Sequence, residues 1–248
     1  MTERSNRRLA IRLNFALLSV TRHWLRIALV LIGLYASLPW VAPTLMRLGA
    51  TGPAQLLYTL YSPFCHQFAF RSIFLFGEQA FYPRDIAETG YRPYEAYAAE
   101  RSEIINPGIG RGDFSIDFWM PSRAFVGDEQ MGFKTALCAR DVAIYAALFV
   151  GALIYAIPGV RRRLRPLPLW IYAIAGLGPI GLDGLSQLLS YPPFELWPVR
   201  ETAPFFRVIT GASFGIMNAW LLLPYLEMSM QDTREQIEYK LRRAGLLT

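Results

Sequence analysis

Two cysteines, two histidines and a handful of carboxylates carry most of the reactive chemistry available to this chain of 248 residues. Cys65 and His66 are neighbours in "SPFCHQFAFRS", residues 62–72, with Gln67 and Arg71 just behind them. Cys138 follows in "TALCARDVAIY", three residues before Asp141. On a helix, residues three or four apart share a face, so Cys138 projects with Asp141, and Asp183 with Gln187. Thiolate, imidazole and carboxylate are the donors taken by zinc and iron, commonly four at a time. Cys65, His66 and Cys138, with Asp141 or Asp183, make such a set. The same cysteines could instead form a Cys65–Cys138 disulfide, which an outward-facing compartment permits, or remain free thiols. The residues leave these alternatives open. If the site is catalytic, its reactive group is a metal-bound water or a thiolate. Whether the chain is an enzyme is not written in the sequence.

A second set of polar residues is cationic. Arg71, Arg140 and Arg207, with Gln187 and Thr210, either neutralise Asp141 and Asp183 in a buried ion-pair network or fork onto an anion or lipid headgroup. Both uses fit these residue types.

The elements that position these groups are apolar helices. Apolar residues make up 53% of the chain and charged residues only 18%, too apolar for an ordinary soluble domain. Four runs are long enough to cross a bilayer: about 26–47, 136–158, 168–190 and 204–228. Pro39 and Pro43 should kink the far end of the first, which serves as an uncleaved signal-anchor. Residues 7–24 read as a basic amphipathic helix on the membrane surface. Arg4, Arg8, Arg12, Arg22 and Arg26 fall on one arc, with Leu9, Leu13, Leu17, Val20 and Trp24 opposite. A basic pre-anchor that only sets topology is the plainer reading. Residues 53–76 read as a short helix, a break and another short helix at the outer interface. A full span there would bury His66 and Arg71.

The fold class is therefore an all-α integral membrane protein. It has four transmembrane helices, both termini cytoplasmic, interfacial helices and an extracytoplasmic loop region. Residues 1–25 form the N-terminal helix, 26–228 the membrane domain with an external insertion at about 77–132, and 229–248 a polar C-terminal helix. In the insertion, Tyr82, Tyr91, Tyr94, Tyr97, Phe114, Phe118 and Trp119 suggest a segment folded onto the membrane surface. The net charge of +6 could signal nucleic acid, but the arginines flank the spans, so membrane lipids are the expected partner and nucleic acid is excluded. The block "RRRLR" at 161–165 joins the N- and C-terminal basic residues on one side, which the positive-inside rule makes cytoplasmic, at an inner membrane. Asp183, about 22 Å along from Pro168, then lies in the outer third of its span. All the unusual polar residues thus meet at the outer face, where ionisable groups in a span are functional candidates.

Gly178, Gly181 and Gly184 on the third span, and Gly211 and Gly215 on the fourth, suggest close helix packing. "GLGPIG" at 176–181 matches a dinucleotide fingerprint but lies inside a span with no preceding strand, so it is rejected. "RGD" at 111–113 is a three-residue match of little weight.

The segments "FCHQFAFRSIFLFG", "ALCARDVAIYAALFVGALIY", "PLPLW", "GPIGLDGLSQ" and "FRVITGASFG" resemble a bacterial and archaeal family of small multi-pass membrane proteins of unknown function. That family is marked by a Cys-His motif, a Cys-Ala-Arg-Cys or Cys-Ala-Arg-Asp motif, and Asp-Gly-x-x-Gln. The resemblance covers residues 63–76 and 133–228. It singles out Cys65, His66, Arg71, Cys138, Arg140, Asp141, Asp183, Gly184, Gln187, Arg207, Thr210 and Gly211. Asp141 stands where many relatives carry cysteine. Two functions follow as expectations: a zinc, iron or redox site at the outer face, or a non-catalytic accessory subunit of a larger membrane complex whose polar cluster is structural.

Overall fold

A computed structural model describes residues 2–100 and 115–247; the "RGD" tripeptide and Phe114 lie outside the described residues. Among the described residues four helices are long and apolar enough to cross a membrane: Asn6–Arg47, Ala139–Ala156, Leu169–Leu188 and Pro204–Arg243. The class is mostly α, as the apolar runs predict.

The first span belongs to α1 (Thr2–Arg47), which runs unbroken through Pro39 and Pro43. Next come α2 (Thr51–Tyr61), β1 (Ser72–Leu75), α3 (Tyr94–Ala99), α4 (Ile116–Ala124), β2 (Gly127–Asp128) and β3 (Gly132–Cys138). The second span, α5 (Ala139–Ala156), turns through α6 (Pro158–Arg163). The third span is α7 (Leu169–Ile171), a wide π-type turn over Tyr172–Leu177, and α8 (Gly178–Leu188). The fourth lies in α9 (Pro204–Arg243).

Two helices exceed what a bilayer needs. At 1.5 Å per residue, α1 and α9 are roughly 69 and 60 Å long, against about 30 Å of hydrocarbon. Their surplus lengths run antiparallel against each other. Leu18 is buried with Ile237 and Leu241, and Arg22 pairs with Glu238 at 2.9 Å. Trp24 donates its Nε1–H to Glu227 at 2.9 Å. Neither α1 nor α9 is interrupted, so the surface helix and first span lie on one continuous helix, and the fourth span and C-terminal tail on another. Over this surplus length the buried face of α1 is Leu18, Thr21, Trp24 and Leu25. Of the expected apolar stripe only Trp24 is buried, while Leu9, Leu13, Leu17 and Val20 are exposed. A facing helix, invisible to a one-helix periodicity, chose a neighbouring arc.

Inside the bundle, α5 and α9 approach most closely. A Cβ at Gly215 would lie 2.2 Å from the Ile144 carbonyl oxygen, and one at Gly211 would lie 2.5 Å from that of Arg140. The Gly-x-x-x-Gly of the fourth span is therefore a true contact face. Of Gly178, Gly181 and Gly184 on the third span, only Gly184 meets another helix, where an added Cβ would lie 3.6 Å from the Arg140 guanidinium. Among the described residues nothing lies within 4 Å of a Cβ at Gly181, and Leu182, Leu185 and Leu188 on the same helix are exposed. This helix sits at the periphery and touches α9 through Gly176, whose added Cβ would meet Met217 at 3.1 Å.

The polar region forms a small lobe. Only the first helix predicted in 53–76 forms; a 3₁₀ turn at Ala69–Arg71 leads into β1 instead. Residues 132–138 are likewise a strand, so the second span starts at Ala139 rather than 136. The sheet is antiparallel in the order β1-β3-β2, with Ser72 opposite Cys138 and Phe74 opposite Lys134. Phe70, Phe74, Tyr82, Tyr94, Tyr97 and Phe118 form the lobe's core. Of the insertion aromatics expected over the membrane surface, Tyr82, Tyr94, Tyr97 and Phe118 are buried in this core, and among those described only Tyr91 is strongly exposed. Arg84 is enclosed among them, 4.2 Å over the Phe118 ring and 3.0 Å from Glu95. Its charge is met by a ring face and one carboxylate.

The helix contacts separate two glycines of the same span type. Gly215→Ala should lower the thermal midpoint of the detergent-solubilised protein, at an overpacking cost of about 1–3 kcal/mol. Gly181→Ala should leave it unchanged or raise it, since Ala is the better helix former. Equal midpoints for the two variants would contradict the α5–α9 approach.

Candidate metal centre and its cavity

Cys65 sits on the turn that leaves α2, and a web of backbone contacts fixes that turn. Gln67 has a positive φ of 55°. Its side-chain amide donates to the carbonyls of Tyr58 and Ala136, both at 2.8 Å. Lys134, wholly buried in β3, donates to the Gln67 carbonyl at 2.6 Å and the Arg123 carbonyl at 2.7 Å. Tyr58 Oη donates to the Lys134 carbonyl at 2.6 Å. Burial and the nearby Arg123 charge pull the Lys134 ammonium down to about 7.

Sheet pairing brings the second cysteine to this turn. Cys138 ends β3 and is the N-cap of α5, with Asp141 in the first turn, where the helix dipole favours negative charge. The Cys138 thiol donates to Asp141 Oδ2 at 3.0 Å. The Cys65 sulfur accepts two backbone N–H groups, from Cys138 at 3.2 Å and Gln67 at 3.4 Å. One ligand atom each from Cys65, Cys138 and Asp141 lie within 4.8 Å of one another. Both cysteines are free thiols here. The hydrogen bond with Cys138, burial and the Asp141 charge together hold the Cys65 thiol far above its usual range. Three potential anions thus crowd one place, and a cation would relieve them.

His66 and Asp183 do not join this cluster. The His66 ring stacks on Phe68, with centroids 5.3 Å apart. Partial burial and the charges of Arg71 and Arg123 keep its pKa below the ordinary imidazole value. Asp183 is taken by Arg140, by Arg200 at 3.0 Å and by the Thr202 hydroxyl at 2.7 Å. Of the five candidate ligands, three meet.

A cavity of about 620 Å³ opens beside the cluster. Cys65, His66, Arg71, Cys138, Arg140, Asp141, Gln187 and Arg207 all face it, with Phe64, Phe68, Trp119 and Leu188 as apolar walls. Thr210 does not. It shares a second depression with Asp183, and its hydroxyl donates to the Phe206 carbonyl at 2.8 Å.

The cationic wall is organised by Glu201, which sequence reasoning missed. Arg71 grips this buried carboxylate with Nε at 2.8 Å and Nη2 at 2.9 Å. Arg207 and the Tyr191 hydroxyl, the latter at 2.5 Å, also donate to it. Gln187 accepts from Arg207 at 3.0 Å and donates to Tyr191 at 3.0 Å. Burial alone would raise the Glu201 pKa, but Arg71 and Arg207 outweigh it and hold the group far below the carboxylate range. Two arginines share Glu201 and two share Asp183, so the wall keeps a surplus of positive charge. Arg140 Nε is buried without a hydrogen-bond partner among the described residues. The signal for Glu201 was its place six residues before a span-embedded arginine. Lys134 and Tyr191 left no comparable mark.

A bundle of membrane-crossing helices with two thiols and a carboxylate gathered beside an arginine-walled cavity defines a class: a helical membrane protein with a built polar site at one end. The chain belongs to the family described as predicted membrane protein (DUF2085), which matches residues 120–221. Uncharacterized protein MJ1492 of Methanocaldococcus jannaschii is 32% identical over 141 residues, which is 55% of this chain and 82% of that relative. No solved structure matches. The family match includes Cys138, Arg140, Asp141, Asp183, Gln187 and Arg207, and it begins after the Cys65 turn.

Glu201→Gln should destabilise the fold by about 3–5 kcal/mol, because it leaves Arg71 and Arg207 buried together. The midpoint in detergent would show this at neutral pH. Lys134 gives a pH signature. Its folded pKa is about 7, below its ordinary value of 10.5, so between these the unfolded chain binds the extra proton. Stability should therefore climb as pH rises through that window. Lys134→Met should flatten the climb in a denaturation series.

Proposed function

We propose that Cys65, Cys138 and Asp141 bind one zinc or iron ion beside the cavity that all three residues line. The observation that carries this reading is the meeting of three ligand atoms from separate segments within 4.8 Å, with two N–H groups aimed at the Cys65 sulfur. Zinc bonds of about 2.3 Å to sulfur would ask for donors roughly 3.8 Å apart, a spacing of the same order as that of these atoms. Three protein ligands and one open position are the pattern of reactive metal sites, whereas structural sites use four. A bound ion would supply Lewis acidity or an activated water. The chain's own groups do the rest. Arg140, with Nε unpaired, and the shared Arg71 and Arg207 attract an anionic group. Phe64, Trp119 and Leu188 favour an apolar body attached to it. A membrane-borne amphiphile with an anionic head is the substrate class this wall suits. With the basic residues assigned to the cytoplasm, the site faces outward and both termini lie on the cytoplasmic side of an inner membrane.

A structural reading draws support from the arginine–carboxylate network, which is largely satisfied without a ligand. On that reading the sulfurs close a Cys65–Cys138 disulfide and the chain serves as an accessory subunit. Elemental analysis of detergent-purified protein, beside thiol labelling with and without reductant, separates the two. About one equivalent of zinc or iron per chain is expected, falling below about a tenth of that in Cys65→Ser and Cys138→Ser. Metal-free protein with both thiols blocked until reduction would overturn the metal assignment and favour the disulfide.

A further inference from the structure

The far end of the bundle carries a second cavity that the metal centre does not use. It measures about 640 Å³ and is lined by Tyr155, Arg161, Arg162, Arg165, Glu227 and Gln231, among others. Cys138 and Tyr155 bracket α5, about 26 Å apart along the axis. That is close to one hydrocarbon thickness, so this cavity lies at the opposite membrane interface. Aromatic groups mark the level. Trp220 donates to the Arg165 carbonyl at 3.1 Å, and Trp170 and Tyr225 are exposed.

The charge here does not balance. Among the described residues Glu227 is the one acid on the lining, and both its oxygens are used. Oε2 accepts from Arg161 at 2.5 and 3.0 Å and from Trp24 at 2.9 Å. Oε1 accepts from Gln231 at 2.8 Å. Arg162 and Arg165 remain as surplus cations. Arg162 Nε is tethered to the Pro158 carbonyl at 3.2 Å. Leu164, Pro166 and Met228 provide apolar surface beside them.

We infer that this corner, centred on Arg162 and Arg165, is a binding site for a phosphate-bearing anion, presented as the headgroup of an acidic phospholipid. Arginine forks match phosphate oxygens, and basic pockets between transmembrane helices at an interface suit anionic headgroups. The site is independent of the metal centre, whose residues lie at the other end of α5.

The test uses full-length protein in zwitterionic detergent, titrated separately with phosphatidylglycerol, phosphatidylcholine and inorganic phosphate at fixed ionic strength. Binding is read by native mass spectrometry and by the melting midpoint. Saturable phosphatidylglycerol binding is expected, about tenfold weaker in Arg162→Gln/Arg165→Gln. That double variant leaves the Arg161–Glu227 pair intact, and its lipid-free midpoint should match wild type. Arg163→Gln, an exposed neighbour off the cavity lining, should bind as wild type does. Equal binding of phosphatidylcholine, unchanged affinity in the double variant, or an equal loss in Arg163→Gln would overturn the site. Inorganic phosphate matching the lipid in affinity would overturn the lipid as its source.

Discussion

The site at the lobe end depends on one buried carboxylate. Glu201 precedes α9, Arg71 precedes β1 and Arg207 lies within α9, and the three meet through charge-assisted hydrogen bonds. This ties the Cys-His segment to the bundle. With Arg71 anchored, the turn at 62–68 lies over the start of α5, and the β1–β3 pairing carries Cys138 to Cys65. A buried ion cluster of this kind gives little net stability against an apolar substitute. What it gives here is position: one carboxylate fixes where the lobe sits.

Much of the membrane architecture was legible in sequence because long apolar runs have few other uses. Four spans emerged, with their ends blurred where other physics intervened. Cys138 illustrates this. The apolar run "TALCARDVAIY" reads as helix throughout, yet its first residues pair as a strand with 72–75. A strand partner lying more than fifty residues away leaves no trace in local periodicity. Leu18 and Leu25 teach the same lesson on α1, where the position of α9 decided which arc was buried. The third-span glycines mislead for the opposite reason, since their spacing is that of a packing face but no helix covers Gly181.

The candidate site was partly legible. Rarity exposed Cys65, Cys138 and Asp141, because polar groups at the ends of apolar helices are costly without a use. The same argument flagged His66 and Asp183 but could not tell which would meet the sulfurs. Asp183 is held by Arg140 and Arg200, and the His66 ring stacks on Phe68. Glu201 escaped notice because it lies outside every apolar run. Lys134 was hidden among strand residues, and its burial follows from Tyr58 and Gln67 closing over it.

The unbroken length of α9 has a mechanical consequence. Arg207, near its first turn, faces the cavity, while Ile237 and Leu241 grip α1 near its last turn. Between them there is no loop to absorb motion. Pro224 lies within it, but if α9 turned as one body of roughly 60 Å by about 5° about one end, its other end would move by about 5 Å. A tilt of α9 driven by cavity filling would therefore reach its contacts with Leu18 and Arg22 of α1 as a sideways displacement.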